Sequence, residues 1–410
     1  MIKIGRLEKT VSNGKMRITA PIEIDGGIYP LWYEVDAQYE QALCVDRSDA
    51  FVVGLLLYAI RRKEDIAFET PMTNELKKSI EQDFLLAVCD HNKDVYHARL
   101  IGPTAMPIVK SRVARLTGIS CGADSLYTVI RRMVKEEEKD GADYIAIFNH
   151  HGTVGCPGEE TWAEKQERFK MVVDRAQRFS VETGLPLVIG NTNYNSGEIP
   201  GLISEGNATF VNMFCALCMQ NLFTHYLIAS AGGVSEFGYY LRQGFSNTIH
   251  ENFDLLTTAA CSSRSMRITV DGLVTRDEKI RYLADEPLAQ KYLDVCHVHR
   301  IGSIKNGTND CPKCMRTVLE LLILGPGVLD RFSSVFDVDY VHSHKYVYLA
   351  EMMRGMLRKS LFAQQCWGRR KMIGFTFFDY IRAGQIVARK LSAKILRGGQ
   401  MGYRFTAEGK

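Results

Sequence analysis

The sequence predicts an α/β protein: an α+β domain over residues 1–110, a parallel-sheet domain over 111–325 and a helical extension over 326–410. Three observations carry this reading. Met16, Ile18, Ala20, Ile22 and Ile24 share one parity, the signature of a half-buried strand. From Arg112 onward, short apolar runs alternate with helical stretches, the pattern of a parallel sheet covered by helices on both faces. Beyond Cys314 helical periodicity takes over.

In chain order, Ile28 to Val35 and Asp65 to Glu69 are further strand-like pieces of the first 110 residues. Ala50 to Ile60, the most apolar run, has 11 residues before Arg61-Arg62-Lys63. A membrane-spanning helix needs about 20, so this run is expected to be a buried helix and no membrane association is expected. Strands follow at Ala114 to Ser120, Asp143 to Phe148 and Pro186 to Gly190, separated by helices at Leu126 to Glu138 and Thr161 to Phe179. Asn191 to Glu205 is a polar loop, and Phe210 to Phe223 is a buried helix whose Cys215 and Cys218 are core residues. Gly325-Pro326-Gly327 separates a helix at Thr317 to Leu324 from one at Tyr346 to Leu361.

With 46% hydrophobic and 24% charged residues over 410 positions, the chain is an ordinary globular one, long enough for two or three domains. Lys3, Arg6, Glu8 and Lys9 interrupt any apolar core of a signal peptide, so a cytoplasmic location is expected. The 11 cysteines would then be reduced, which favours metal ligation, catalysis or burial over disulfides. The net charge of +4 is unevenly spread: from Met353 to the end, 13 Lys and Arg face only Asp379 and Glu408, a balance of +11 that leaves −7 for the rest. Such a tail suits a polyanion such as RNA, an anionic membrane surface, an acidic protein partner or a solvated helix face.

The strongest local signal is Ser120-Cys121-Gly122-Ala123-Asp124-Ser125, between an apolar strand and a helix. Main-chain N–H groups at that position converge on phosphate oxygens, and the helix dipole favours the negative charge. Gly122 permits close backbone approach, Ser120 and Ser125 offer hydroxyls, and Asp124 caps the helix or binds a bridging magnesium ion. A plain capped strand-to-helix turn would have the same pattern. The loop resembles the Ser-Gly-Gly-x-Asp-Ser fingerprint of the PP-loop ATP pyrophosphatase family, with Cys121 standing where the family usually has glycine. Pro186 to Asn193 looks like that family's third strand and turn. Leu255 to Cys296, with Thr275-Arg276-Asp277-Glu278-Lys279, resembles asparagine-synthetase-like members, and Cys311-Pro312-Lys313-Cys314-Met315-Arg316-Thr317 looks like a signature shared with 7-cyano-7-deazaguanine synthase.

The resemblance covers about residues 112–320 and implies a HUP-like nucleotide-binding fold that takes ATP and Mg2+. Ser120, Cys121, Gly122, Ala123, Asp124, Ser125, Asn149, Asn191 and Thr192 would line the nucleotide. Attack of a substrate carbonyl oxygen on the α-phosphate would release pyrophosphate, with Arg276, Lys279 and Arg316 neutralising the leaving charge. Displacement of AMP by sulfur would give a thioamide on a small molecule or on an acyl group tethered to a carrier protein. Cys121 and Cys156, the latter after Asn149-His150-His151, are the candidate sulfur-handling thiols. Amide formation from ammonia, tRNA thiolation and a catalytically silent nucleotide-binding regulator are the other readings, the nucleic acid being weakened by the lack of an RNA-binding module. Cys296, Cys311 and Cys314 have the character of a structural zinc site, completed by His299 or His297, since Thr308 stands where relatives supply a fourth cysteine.

Overall fold

The computed structural model describes residues 1–91, 95–136, 141–150, 162–202, 208–234, 254–296, 306 and 311–396. The chain divides into two compact units, Met1–Ser120 with Asp124–Arg276, and Cys121–Ala123 with Asp277–Lys410. Neither expected boundary, at 110/111 or 325/326, coincides with this division.

The strands are β1 (Ile2–Ile4), β2 (Glu8–Ser12), β3 (Lys15–Ile24), β4 (Gly27–Asp36), β5 (Ile66–Phe68), β6 (Met72–Thr73), β7 (Leu100–Ile101), β8 (Thr104–Ala105), β9 (Val113–Gly118), β10 (Gly141–His150), β11 (Leu187–Thr192), β12 (His225–Ala229) and β13 (Arg267–Asp271). An 11-stranded sheet runs β13-β12-β9-β10-β11-β4-β3-β1-β5-β7, with β2 on β3, while β6 and β8 pair separately. From β13 to β11 every pairing is parallel. Numbered along the chain, these five strands lie in the order third, second, first, fourth, fifth, a doubly wound arrangement.

At β11 the sheet changes character. Residues Gly190, Asn191 and Thr192 pair antiparallel with Val35, Glu34 and Tyr33 of β4, so the first 110 residues extend the same sheet. A small α+β domain was the expectation for this region; instead β1 to β5 and β7 continue the parallel strands into one mixed sheet. The alternation in Met16 to Ile24 reflects one face of β3 held in the core. Gly190 lies across from the Tyr33 ring, which occupies the space a β-carbon would need.

The predicted buried helix is Asp49–Arg62, with every residue from Ala50 to Ile60 inside. It packs on the helix Ala208–Cys218. Phe51 and Phe214 meet edge to face at 5.3 Å, and the Tyr194 hydroxyl donates to the Gly54 carbonyl at 2.6 Å. Leu55, Leu56 and Leu57 each contribute about 1.5–3 kcal/mol on transfer from water. Burial pushes the Cys215 and Cys218 thiols well up, as suits inert core residues. The helix starting at Ala123 is α to Val129 and then takes a π turn over Ile130–Val134. The second unit, which begins at Asp277 within the helix Arg276–Ala284, is helical through Pro312–Leu322, Lys345–Leu357 and Leu361–Gly368 to Phe377–Leu396. No helix of the described residues is long and apolar enough to cross a membrane.

The β4 to β11 seam is held by side chains as well as by the ladder. Asn193, fully buried, accepts from the Trp32 N–H at 2.9 Å and donates to the Pro30 carbonyl at 2.8 Å and to Glu198 at 2.7 Å. Asn193→Ala should therefore lower unfolding stability by about 2–3 kcal/mol in denaturant titration, because buried partners lose their hydrogen bonds. Asn191→Ala, at a half-buried position, should cost less; equal losses would show that the seam does not depend on Asn193.

Candidate functional site

In an open sheet of this order, ligands bind outside the carboxyl ends of the strands, where neighbouring connections leave in opposite directions. Here that place lies between β9 and β12. The chain leaves β9 toward β10 on one side and later returns to β12 on the other. The loop after β9 is Ile119 to Gly122, followed directly by the helix at Ala123. Ile119 N–H still donates to the Ala146 carbonyl at 2.8 Å, so the loop begins one residue past the strand. The Ser125 hydroxyl accepts from Ser120 N–H at 3.3 Å and lies 3.1 Å from the Ser120 hydroxyl, drawing the two ends of the loop together.

Cys121 is 2% exposed and has φ +57°, a left-handed conformation that glycine adopts freely and a cysteine adopts at a cost of about 1–2 kcal/mol. Its carbonyl accepts from the Asp294 N–H at 2.7 Å, both residues belonging to the second unit. Asp124 opens the helix with its carboxylate 3.9 Å from an Arg276 guanidinium nitrogen, a loose pair that contributes little by itself. The sequence pattern thus separated these residues by 152 positions, and the fold of the first unit brings them together.

The end of β12 supplies residues that sequence reasoning missed. Ser230, buried, donates its N–H to the Asp271 carbonyl at 2.8 Å, and its hydroxyl accepts from Gly232 N–H at 3.2 Å. A β-carbon on Gly233 would stand 3.2 Å from the Thr275 nitrogen, so glycine lets this loop close against the segment leading to Arg276. A serine and two glycines directly after an apolar strand were the available signal.

The remaining expected residues divide. Asn149 is buried at the end of β10, beside Asn191 in register. The Asn191 amide donates to Glu34 at 3.1 Å and the fully buried Thr192 hydroxyl donates to the Trp32 carbonyl at 2.6 Å. Both side chains hydrogen-bond across the β4 seam. Lys279 is fully buried in the helix Arg276–Ala284 and belongs to the second unit. Arg316 pairs with Glu320 at 3.0 Å and lies over the Phe362 ring at 5.0 Å. Cys156, His297 and His299 lie outside the described residues, as does Thr308.

Cys296, Cys311 and Cys314 converge in the second unit, their sulfurs all within 4.8 Å of one another. Thiolates on one tetrahedral zinc ion stand about 3.8 Å apart, so the cluster can hold such a metal with little adjustment. Cys311 precedes the helix Pro312–Leu322, where Pro312 occupies the first turn, and Cys314 lies in that turn. Hydrogen bonding with the Cys296 and Cys311 sulfurs, together with burial, pushes the Cys314 thiol well up; an ion would take the place of the shared protons. Asn306, a buried hub the sequence did not reveal, accepts from Val295 and Cys296 N–H groups at 3.0 Å and donates to the Leu293 and Val335 carbonyls at 2.8 and 3.0 Å. None of the described cysteines forms a disulfide.

Two outcomes follow from this geometry. Protein purified without added zinc should carry about one metal equivalent per chain, and Cys311→Ser should lose the metal and melt earlier; a metal-free chain of undiminished stability would refute the centre. Cys121→Gly should stay within about 1 kcal/mol of the parent, whereas Cys121→Val should lose more than about 2 kcal/mol, because a branched side chain fits the left-handed region worst. Equal effects in chemical denaturation would show that the backbone there is not constrained. Compared with family models, curated proteins and solved structures, the chain matches none, so the functional reading rests on the loop, its strand order and the residues gathered around it.

Proposed function

We propose that the Ser120 to Ser125 loop binds the phosphates of ATP and that the protein adenylates a carbonyl oxygen of its substrate. The observation carrying this reading is that a glycine-containing loop leaves the first strand of a doubly wound sheet at its switch point and enters a helix directly. Main-chain N–H groups of Gly122 and Ala123 and the Ser120 and Ser125 hydroxyls are the phosphate donors of this proposal. Asp124, part-exposed at the helix start, is a hard oxygen ligand suited to Mg2+, which when bound would neutralise phosphate charge.

The substrate's carbonyl oxygen attacks the α-phosphorus, the bond to the bridging oxygen breaks, and pyrophosphate leaves with that electron pair. Arg276, 3.9 Å from the Asp124 carboxylate, provides positive charge for the departing group. A sulfur nucleophile then adds to the activated carbon, and AMP departs with the original oxygen, leaving a thioamide-type product on a small molecule or a carrier-bound acyl group. The deep burial of Cys121 favours a packing role for that thiol, so the sulfur of this scheme is external and at the sulfide level, adding to the carbon as hydrosulfide while AMP leaves.

Asp124→Ala and Ser125→Ala should each reduce substrate-dependent pyrophosphate release by at least about a hundredfold while leaving the thermal midpoint near that of the parent. Mass analysis of the product separates sulfur from nitrogen transfer. Unchanged pyrophosphate release in both variants would overturn the nucleotide assignment.

A further inference from the structure

The helix Phe377–Leu396 buries one side and leaves the other uncovered. Ala383 and Val387 join Leu349 and Ala350 in a small core, with Met353, Trp367, Phe375 and Ile386 packed around it. On the opposite side Phe377 is 74% and Phe378 70% exposed, with Met372, Tyr380 and Ile381 also exposed beside them. Large aromatic rings this open are uncommon at a helix start unless something covers them.

The rings are also held in position. Thr376 accepts from the Asp379 N–H at 3.2 Å while the Asp379 carboxylate accepts from the Thr376 N–H at 2.8 Å and its hydroxyl at 2.7 Å, a reciprocal cap that fixes the first turn carrying both phenylalanines. The two rings meet edge to face at 6.1 Å. Asp379 is the sole acidic residue between Met353 and Leu396, and it is engaged in the cap. Cations flank the patch along the chain. Arg370 lies over the Trp367 ring at 4.6 Å, Arg382 lies over Tyr346 at 5.4 Å, and Arg369, Lys371, Arg389 and Lys390 are exposed nearby in sequence.

We propose that this patch docks an acidic protein partner, with Phe377 and Phe378 entering an apolar pocket and the arginines meeting carboxylates at its rim. Aromatic anchors ringed by arginine are the anatomy of a protein interface, and guanidinium groups stacked on rings are already oriented for bidentate carboxylate contacts. A helix lying in a lipid surface would carry its exposed apolar residues along its whole length. Over the side chains described, which reach Ser392, the exposed large apolar ones gather between Met372 and Ile381, while Arg382, Gln385, Arg389, Lys390 and Ser392 dominate the exposed face beyond, with Ala388 and Leu391 among them. Charge complementarity selects an anionic occupant, and the compact anchor selects a protein.

The test uses the full chain and a labelled acidic amphipathic peptide with one glutamate-rich and one leucine-rich face. Anisotropy should report binding that Phe377→Ala/Phe378→Ala and Arg369→Glu/Arg370→Glu/Lys371→Glu each weaken at least about tenfold. The phenylalanine variant should keep the parent thermal midpoint, since both rings are largely exposed, and Lys371→Glu alone, at an exposed side chain, keeps the charge dependence readable should the triple variant lose the Arg370 contacts to Trp367 or the Arg369 pairing with Asp277. A polyglutamate peptide lacking apolar residues should bind at least about tenfold more weakly. The proposal is overturned if no phenylalanine-dependent binding is seen, or if polyglutamate binds equally well. Tighter phenylalanine-dependent binding to phosphatidylserine vesicles or to RNA would overturn it too, as would a self-associated species in sedimentation that the phenylalanine variant dissolves.

Discussion

The first unit depends on β9 being hydrogen-bonded along both edges. Val113 to Gly118 pairs with β10 from Gly141 to Ala146 and, on its other edge, Arg115 to Thr117 pairs with β12. A strand in that position must be apolar on both faces, and the one hydroxyl it buries, on Thr117, donates to the Leu227 carbonyl at 2.7 Å. Arg115 closes the other end of the strand against Asp143 at 2.6 Å and also pairs with Glu136, an arrangement whose loss of one partner costs about 3–5 kcal/mol when the remaining charge is buried. Because the chain crosses from one side of β9 to the other only once, its carboxyl end is where connections part, and the loop at Ser120 follows directly from that end.

The same sheet is completed by an antiparallel extension, and this explains how a strand as short as β11 is held. Its β10 edge is an ordinary parallel ladder, whereas its β4 edge spans only three residue pairs. Side chains make up the difference: Arg17 clamps Glu34 at 2.6 Å, Glu34 receives the Asn191 amide, and Asn193 satisfies both Trp32 and Pro30. Polar side chains at the end of β11 and just beyond it are therefore part of what keeps two differently wound halves of one sheet in register.

Local signals in the chain were legible and long-range ones were not. Period-two alternation located β3, continuous hydrophobicity located the helix Asp49–Arg62, and the close spacing of Cys311 and Cys314 placed two thiols on one helical turn. The hairpins of β2, β3 and β4 were also within reach, since Asn13-Gly14 and Asp25-Gly26 both take positive φ, as a two-residue turn between twisted strands requires. Nothing local announces that β11 will turn its free edge to β4, a partner more than 150 residues earlier, or that Asn306 will gather four main-chain groups around the cysteines. An asparagine in a polar stretch reads as a loop former, because its role as a hub exists only once distant backbone has been brought to it.

Cys121 shows what the resemblance to a glycine-rich loop does and does not depend on. A glycine there would remove the penalty of positive φ but would leave the position without a side chain, whereas the cysteine is buried and adds apolar contact. The turn also directs the Cys121 carbonyl toward the Asp294 N–H, so the loop's shape is supported from within the second unit independently of any phosphate. Two effects of about 1 kcal/mol therefore oppose each other at this residue, and the backbone that a glycine would take without strain is reached by a residue that glycine-based motif matching would reject. The physical requirement at this loop is the left-handed turn between strand and helix, and the departure from the expected residue type leaves that requirement met.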